Sequence, residues 1–306
     1  VEKMQLAHPG IRLLRNSENL GPGGSTNYGI EEATGDWIII VHADDSLLPS
    51  ALKDIASHVA DCPSDVVLLG CEEERRGRLR PLTAGSLSNH LAAQPQPFTA
   101  VTAPRVMLWP PGPWSKAYRR RYLLDNNIRF PDGVFEDIPW SVQTVLDAKA
   151  ISLAPGTHYR YVTSAVESSI TTSLNRRNLD RLTQIRLIRG IVESAEMTPE
   201  LLTHTSAIVA IHLIWANRAA YKTLPPETHE QFYRDSADEL SWWHERYPVP
   251  PGLDTTPLMS AVDRHSFSRA LLSNDWGRWQ KTLDASKAKK KFRRGFRPGR
   301  LFARPS

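Results

Sequence analysis

"DWIIIVHADDSLLP", Asp36 to Pro49, sets five consecutive apolar residues, Trp37 to Val41, ahead of a histidine, two adjacent aspartates and a proline. A short apolar run closed by turn-forming residues predicts a buried strand, here with carboxylates at its carboxyl end. Open α/β sheets bind ligands at that edge. Carboxylates there hold a hard cation such as Mg²⁺ or Mn²⁺, whose charge neutralises phosphate oxygens. They serve equally to solvate a strand end and cap the helix that Pro49 opens. Asp44 and Asp45 alone leave both readings open.

Working outward, the rhythm is one of alternating strands and helices. "GIRLLRNSENLG" (Gly10–Gly21) reads as extended, and "GGSTNYGIEEATG" (Gly23–Gly35) as a glycine-rich turn entering a short helix that Gly35 closes. After Pro49, Leu52, Ile55 and Val59 fall on one face of a helix, and "DVVLLG" (Asp65–Gly70) is a second buried strand. That alternation predicts an α/β layer fold. From Glu72 to Pro113, "PQPF" and "WPPGPW" predict loops and a short hairpin. "SKAYRRRYLLDNN" (Ser115–Asn127) reads as helix, "IRF" (Ile128–Phe130) as a short strand, and "EDIPWSVQTVLDAKA" (Glu136–Ala150) as a helix led by acids. "ISLAPGTHYRYV" (Ile151–Val162) reads as two strands around a Pro-Gly turn. Beyond Thr172, Leu182, Ile185, Ile188 and Val192 begin a mostly helical half that runs to about Asp284.

Composition bounds the class. The 306 residues, 41% hydrophobic and 23% charged, suffice for one large or two medium globular domains. "AIVAIHLIWA" (Ala207–Ala216) holds ten residues and includes His212, against the roughly 20 that span a bilayer. No secretory leader pattern opens the sequence. Cys62 and Cys71 have neither CxxC spacing nor a histidine cluster, which predicts reduced, structural thiols in a cytoplasmic protein. The nine Lys and Arg after Asp284 exceed the formal net charge of +5, leaving about −4 for residues 1–284. The basic segment 285–306, with Phe292, Phe296 and Phe302 among its arginines, suits either an anionic membrane surface or a disordered, solvated linker. No nucleic-acid motif accompanies it, and nucleic acid is not expected as a partner.

A second acidic pair, Glu136 and Asp137 in "FPDGVFEDIPWS", follows a turn and starts a helix. A carboxylate held near an acceptor hydroxyl is a general base. Acids also gather at helix starts through the macrodipole.

The two pairs and their surroundings resemble a known family. "NLGPGGSTNYGIEEATGDWIIIVHADDSLLP", "PWSKAYRRRYLLDNNIRFPDGVFEDIPWS" and "YRYVTSAVESSITTS" are similar, in order and spacing, to signatures of the inverting family-two glycosyltransferases with the GT-A fold, over about residues 11–175. The nearest flavour is the bacterial cell-wall and teichoic-acid type. The resemblance implies a Rossmann-like GT-A sheet lacking its N-terminal nucleotide-binding strands over residues 1–173, a helical region over 174–284 and the basic tail 285–306.

The resemblance also implies roles. Asp44 matches the last acid of the family's DxD motif, which meets the divalent metal, Mg²⁺ or Mn²⁺, and the donor diphosphate. His42 stands at the first-acid position, where a neutral imidazole suits Mn²⁺ better than Mg²⁺. Asp45 follows as a donor-side residue that orients its neighbour or caps the next helix. Asp137 matches the catalytic base and Glu136 its acidic companion. Trp114 and Lys116 match a W-x-K-x-Y-x-R segment that shapes the acceptor pocket. Asn27 is kept on the donor side, while Thr26 replaces an arginine. Val162 stands where another arginine is frequent, with Arg160 close by as donor contact and Ser169, Ile170 and Thr171 fitting the pattern. His158 reads as structural. The family's opening Pro-Val-Tyr-Asn-like turn and Asp-Asp-Gly-Ser strand end have no counterpart in these residues, about two βα units or roughly 50 to 70 residues.

The implied partners are a nucleotide-sugar donor and a polymer or lipid-linked acceptor, with the enzyme in the cytoplasm or peripheral at the inner membrane face. A non-catalytic polymer-binding or scaffold module derived from such an enzyme is the alternative. A nucleotidyltransferase would share the sheet, but no glycine-rich, lysine-containing triphosphate loop is present.

Overall fold

The structure is a computed structural model that describes residues 8, 10–83, 85–163, 179–255, 259 and 261–295. In chain order the first elements are α1 (Gly21–Glu32), β1 (Trp37–Ile39), β2 (Ser46–Leu47), α2 (Ala51–Asp61) and β3 (Val66–Leu68). A hairpin of β4 (Cys71–Arg75) and β5 (Arg78–Pro81) follows, then α3 (Gly85–Ala92), β6 (Lys116–Arg119), α4 (Arg120–Asp125), α5 (Asp137–Leu146), β7 (Ile151–Leu153) and β8 (Tyr159–Thr163). The remainder is helical: α6 (Asp180–Ser194), α7 (Pro199–Thr223), α8 (Pro226–Arg246), α9 (Ala261–Leu272) and α10 (Trp276–Gly295). Among the described residues no helix is long and apolar enough to cross a membrane.

Two compact units divide the chain, residues 1–173 with 183–205, and residues 174–182 with 206–306. In the first unit one sheet has the order β1-β6-β3-β7 and the other β2-β8-β4-β5. β3 lies parallel to β7, while β6 runs antiparallel to both β1 and β3. The carboxyl ends of β1, β3 and β7 and the amino end of β6 therefore share one edge. The acidic turn after β1 leads directly into β2, which pairs with β8 through Ser46–Arg160 and Leu47–Tyr159. That turn thus joins the two sheets.

The core explains the register. Val66, Val67 and Leu68 are fully buried, and Ile55, Leu69, Cys71, Trp114, Ala117, Ala154 and Tyr159 form one cluster with Val67. Both cysteines are free thiols. The β3–β4 junction is tight: a Cβ on Gly70 would overlap the Gly156 carbonyl oxygen.

Several sequence expectations change. β1 is an edge strand of three half-buried residues, and Val41 is exposed, because only β6 hydrogen-bonds to it among the described residues. Leu52 points to solvent at 61% exposure, since Ala51 and Ile55, one turn apart, take the core-facing stripe of α2. Ser115 ends a 3₁₀ turn (Pro113–Ser115), and Lys116–Arg119 is strand rather than helix: Lys116, Ala117 and Tyr118 are fully buried between β1 and β3, and only Arg120–Asp125 coils into α4. "IRF" forms no strand. α3, absent from the sequence reading, lies within the stretch expected to be irregular, whereas the hairpin expected there is β4–β5. Helix α10 continues past Asp284 to Gly295, into the basic segment. Ser169, Ile170 and Thr171 lie outside the described residues.

The second unit packs α8, α9 and α10 around buried Tyr233, Trp243, Phe267 and Trp279, with the Tyr233 hydroxyl donating to the Ala270 carbonyl at 2.7 Å.

Replacing Gly70 by alanine forces the β3–β4 turn away from the β7–β8 turn. Loss of about 2–4 kcal/mol of unfolding free energy is expected in denaturant melts; a change within about 0.5 kcal/mol would mean that the two turns part freely.

Candidate active site

His42 to Asp45, between β1 and β2, form the acidic turn, which the Asp45 amide closes by donating to the His42 carbonyl at 3.1 Å. His42, Asp44 and Asp45 each offer a ligand atom, all within 4.8 Å of one another. They divide by exposure: the Asp45 side chain is fully buried, while His42 and Asp44 face solvent. Asp45 Oδ2 accepts the Tyr159 hydroxyl at 2.7 Å and Oδ1 accepts the Val162 amide at 2.8 Å. Tyr159 Oη in turn accepts the His42 amide at 3.2 Å. Burial raises the Asp45 pKa, and those two donors oppose the rise by favouring the carboxylate. Both Asp45 oxygens are therefore spent in anchoring the turn to β8. The carboxylate of Asp44 and the imidazole of His42 are left to hold a divalent cation, and this mixed oxygen and nitrogen set fits Mn²⁺ more readily than Mg²⁺.

Asp137 opens α5, where the helix N-terminus favours its negative charge. The loop before it is held from several sides. Asn27 of α1 donates from Nδ2 to the Phe130 carbonyl and accepts the Phe130 amide on Oδ1, both at 2.9 Å. The Phe130 ring stacks on Trp140 of α5, with centroids 4.0 Å apart and planes 7° from parallel. Gln184 of α6 donates to the Asp132 carbonyl at 2.7 Å. Phe135 has a positive φ of 68°, a conformation rare for a bulky side chain and sustained only by surrounding packing. Gly23 lets α1 lie against the loop, since a Cβ there would come within 2.8 Å of Glu136 Cγ.

Glu136 is buried at 8% exposure, and burial pushes its pKa up to about 7, against the pull of its own backbone amide. The neighbouring Asp137 charge adds to the rise.

Lys116 connects the strands to α5. Its side chain has no exposed surface, and Nζ donates to the Pro110 carbonyl at 2.9 Å, Ser115 Oγ at 3.1 Å and Ser141 Oγ at 3.0 Å. Ser141 lies one turn beyond Asp137 on α5, on the same face. Burial lowers the amine's pKa to about 7; the Asp137 charge works the other way. Trp114 stacks on two tyrosines, with ring centroids 5.1 Å from Tyr159 and 5.2 Å from Tyr161 and planes nearly parallel to both.

Some side chains expected to touch ligands are thus engaged elsewhere. Lys116 offers an acceptor no surface, and Trp114 is buried and stacked on Tyr159 and Tyr161. Asn27 spends its amide on Phe130. Arg160 bonds Glu72 at 2.8 Å and lies 3.7 Å from Glu74, both on β4, so its charge is already balanced. Tyr159, Ser141, Phe130 and Trp140 were missed. Tyr159 and Tyr161 alternate on one face of β8, a period-two signal present in "HYRYV". Ser141 carries no signal of its own beyond its i+4 spacing from Asp137.

Comparison with known proteins bears out the family-two resemblance. The model of glycosyl transferase family 2 matches residues 1–95. Poly(ribitol-phosphate) beta-N-acetylglucosaminyltransferase TarS of Staphylococcus aureus is 24% identical over 181 residues, covering 57% of this chain and 30% of the relative. The cholesterol galactosyltransferase of Borreliella burgdorferi is 28% identical over 168 residues, covering 52% of this chain and 46% of the relative. The crystal structure of S. aureus TarS 1–349 in complex with UDP-GlcNAc matches with a TM-score of 0.66 at 19% identity, covering 94% of this chain and 80% of that one. The chain carries the GT-A fold of the family-two glycosyltransferases and spans less than half the length of these two curated relatives.

Ionising the Glu136 carboxyl is penalised only in the folded state, because its folded pKa lies above its ordinary 4.5. The penalty is absent below pH 4.5, grows between 4.5 and about 7, and is complete above that. Glu136→Gln is expected to stabilise the protein at pH 8 by an amount on the order of 3 kcal/mol and to leave it unchanged near pH 4.5. Denaturant melts at the two pH values check this; equal effects at both would contradict it.

Proposed function

We propose that this chain is the catalytic part of an inverting, metal-dependent glycosyltransferase that moves a sugar from a nucleotide-diphosphate donor to a hydroxyl of a cell-wall, teichoic-acid or exopolysaccharide polymer. One observation carries the reading: an exposed carboxylate in the turn after β1 and a second at the start of α5 are anchored through the same buried layer. Asp44 is held by the Asp45–Tyr159 contacts and Asp137 by the Lys116–Ser141 contact. Trp114, stacked on Tyr159 and two residues before Lys116, joins the two anchors.

Inversion is a single displacement at the anomeric carbon. It needs a base on the acceptor side and stabilisation of the leaving diphosphate on the other. Asp137, at the amino end of α5, takes the proton from the acceptor hydroxyl. Glu136, buried and with its pKa raised to about 7, carries less charge near neutral pH than an ordinary carboxylate. Asp44 and His42 hold the cation, which when bound supplies positive charge to the leaving diphosphate. Asn27, Asp45, Trp114 and Lys116 act by positioning.

The relatives guide the choice of substrates. TarS has been crystallised with UDP-GlcNAc, and its name describes a poly(ribitol-phosphate) N-acetylglucosaminyltransferase. UDP-GlcNAc and a polyol-phosphate polymer are accordingly the first pair to try.

Asp137→Asn is expected to lower transfer by about 10²–10⁴-fold and to change donor affinity by less than about threefold, read by product formation and donor titration. Undiminished transfer would remove Asp137 from the chemistry. Asp44→Asn should abolish the stimulation of transfer by Mn²⁺; a variant that responds to the cation like the wild type would place the metal elsewhere.

A further inference from the structure

The helical unit holds a cavity of its own. About 370 Å³ in volume, it is lined by residues of α7, α8, the turn after α8, and α9. That size lies within the range of small-molecule sites. Most of its wall is apolar, from Leu240, Leu272 and the turn from Pro248 to Pro251.

The polar groups in that wall share one character. Ser206, 1% exposed on α7, has a hydroxyl with no hydrogen-bond partner among the described residues, and the buried Ser268 hydroxyl of α9 has none either. A buried hydroxyl without a partner loses about 1–3 kcal/mol relative to a satisfied one, unless a ligand or water supplies the bond. His244 and Arg269 stand exposed, and His265 half-exposed, around the same cavity. Among the described residues no Asp or Glu lines it. The described lining therefore presents two unspent donors, a permanent guanidinium charge and two imidazoles.

We propose that this cavity is a binding site for a phosphate group, either free or esterified to a short polyol or alkyl chain. Arg269 supplies the charge-assisted bonds, His244 and His265 flank the oxyanion, and the Ser206 and Ser268 hydroxyls donate to its inner oxygens. The apolar wall covers the organic part of an ester. The site stands apart from the sugar-transfer chemistry and does not depend on it.

The test titrates the full chain with inorganic phosphate, with glycerol 1-phosphate and with glycerol, by calorimetry at low salt. Binding of either phosphate probe in the millimolar range or tighter is expected, with none for glycerol. Tighter binding of the ester identifies an esterified group as the occupant, and tighter binding of inorganic phosphate identifies the free ion. Arg269→Gln lies at an exposed position that leaves the fold intact, and it should weaken the binding by roughly tenfold or more. Ser206→Ala should weaken it by a smaller factor, with unchanged circular dichroism. Failure of both phosphate probes to bind, equal binding of glycerol, or binding unchanged in Arg269→Gln would each overturn the proposal. None of those results bears on Asp137.

Discussion

A primary amine with no exposed surface must find oxygen partners, and the arrangement of the first unit follows from how Lys116 finds them. Its three hydrogen bonds draw together the proline-rich loop at Pro110, the end of the 3₁₀ turn at Ser115 and helix α5 at Ser141. Hydrogen bonds to a charged group contribute about 1.5–3 kcal/mol each, against a desolvation penalty of several kcal/mol for burying the ion. The balance shows in the amine's pKa, lowered to about 7. Between about pH 7 and the ordinary 10.5 the unfolded chain binds more protons than the folded one, so this group's contribution to stability rises with pH across that window. The three partners thus act as a geometric specification for the start of α5 more than as a source of stability.

The same layer divides labour between adjacent acids. Asp45 and Asp44 are neighbours in sequence, and the turn sends one inward and the other outward. The inward carboxylate is consumed by Tyr159 and Val162 and fixes the turn against β8. The outward one is exposed to solvent. Glu136 and Asp137 repeat the pattern at α5, with Glu136 buried and Asp137 half-exposed. In each pair one acid is buried in the fold and its neighbour is the one that solvent reaches, which is why the proposed function gives that neighbour the chemical role.

The alternating strands and helices were legible because apolar periodicity reports burial directly, as "DVVLLG" does for β3. Asp44 and Asp137 stood out in the sequence as candidates because their types and spacing suit chemistry, and the structure places Asp44 in an exposed turn and Asp137 at the start of α5. What failed did so for physical reasons. Ser115–Arg119 looks helical by composition, yet tertiary pairing on both sides makes Lys116–Arg119 a strand. Lys116 looks like a surface residue, since lysine is almost never fully buried unless paired, and its partners come from Pro110 and Ser141, 6 and 25 residues away. Arg160 looks like a free cation because Glu72 and Glu74 reach it only through the parallel pairing of β4 with β8. A sequence displays side-chain chemistry; it does not display which partner has already used it.

The central claim is that Lys116 places the base. Steady-state transfer by Lys116→Met, in a preparation whose thermal melt shows a folded protein, tests it most directly. The account predicts a fall in kcat of about 10²-fold or more with donor affinity within about threefold of wild type, because the variant misplaces Asp137 and leaves the Asp44 turn alone. Wild-type kcat in this variant, or a loss confined to donor affinity, would contradict it.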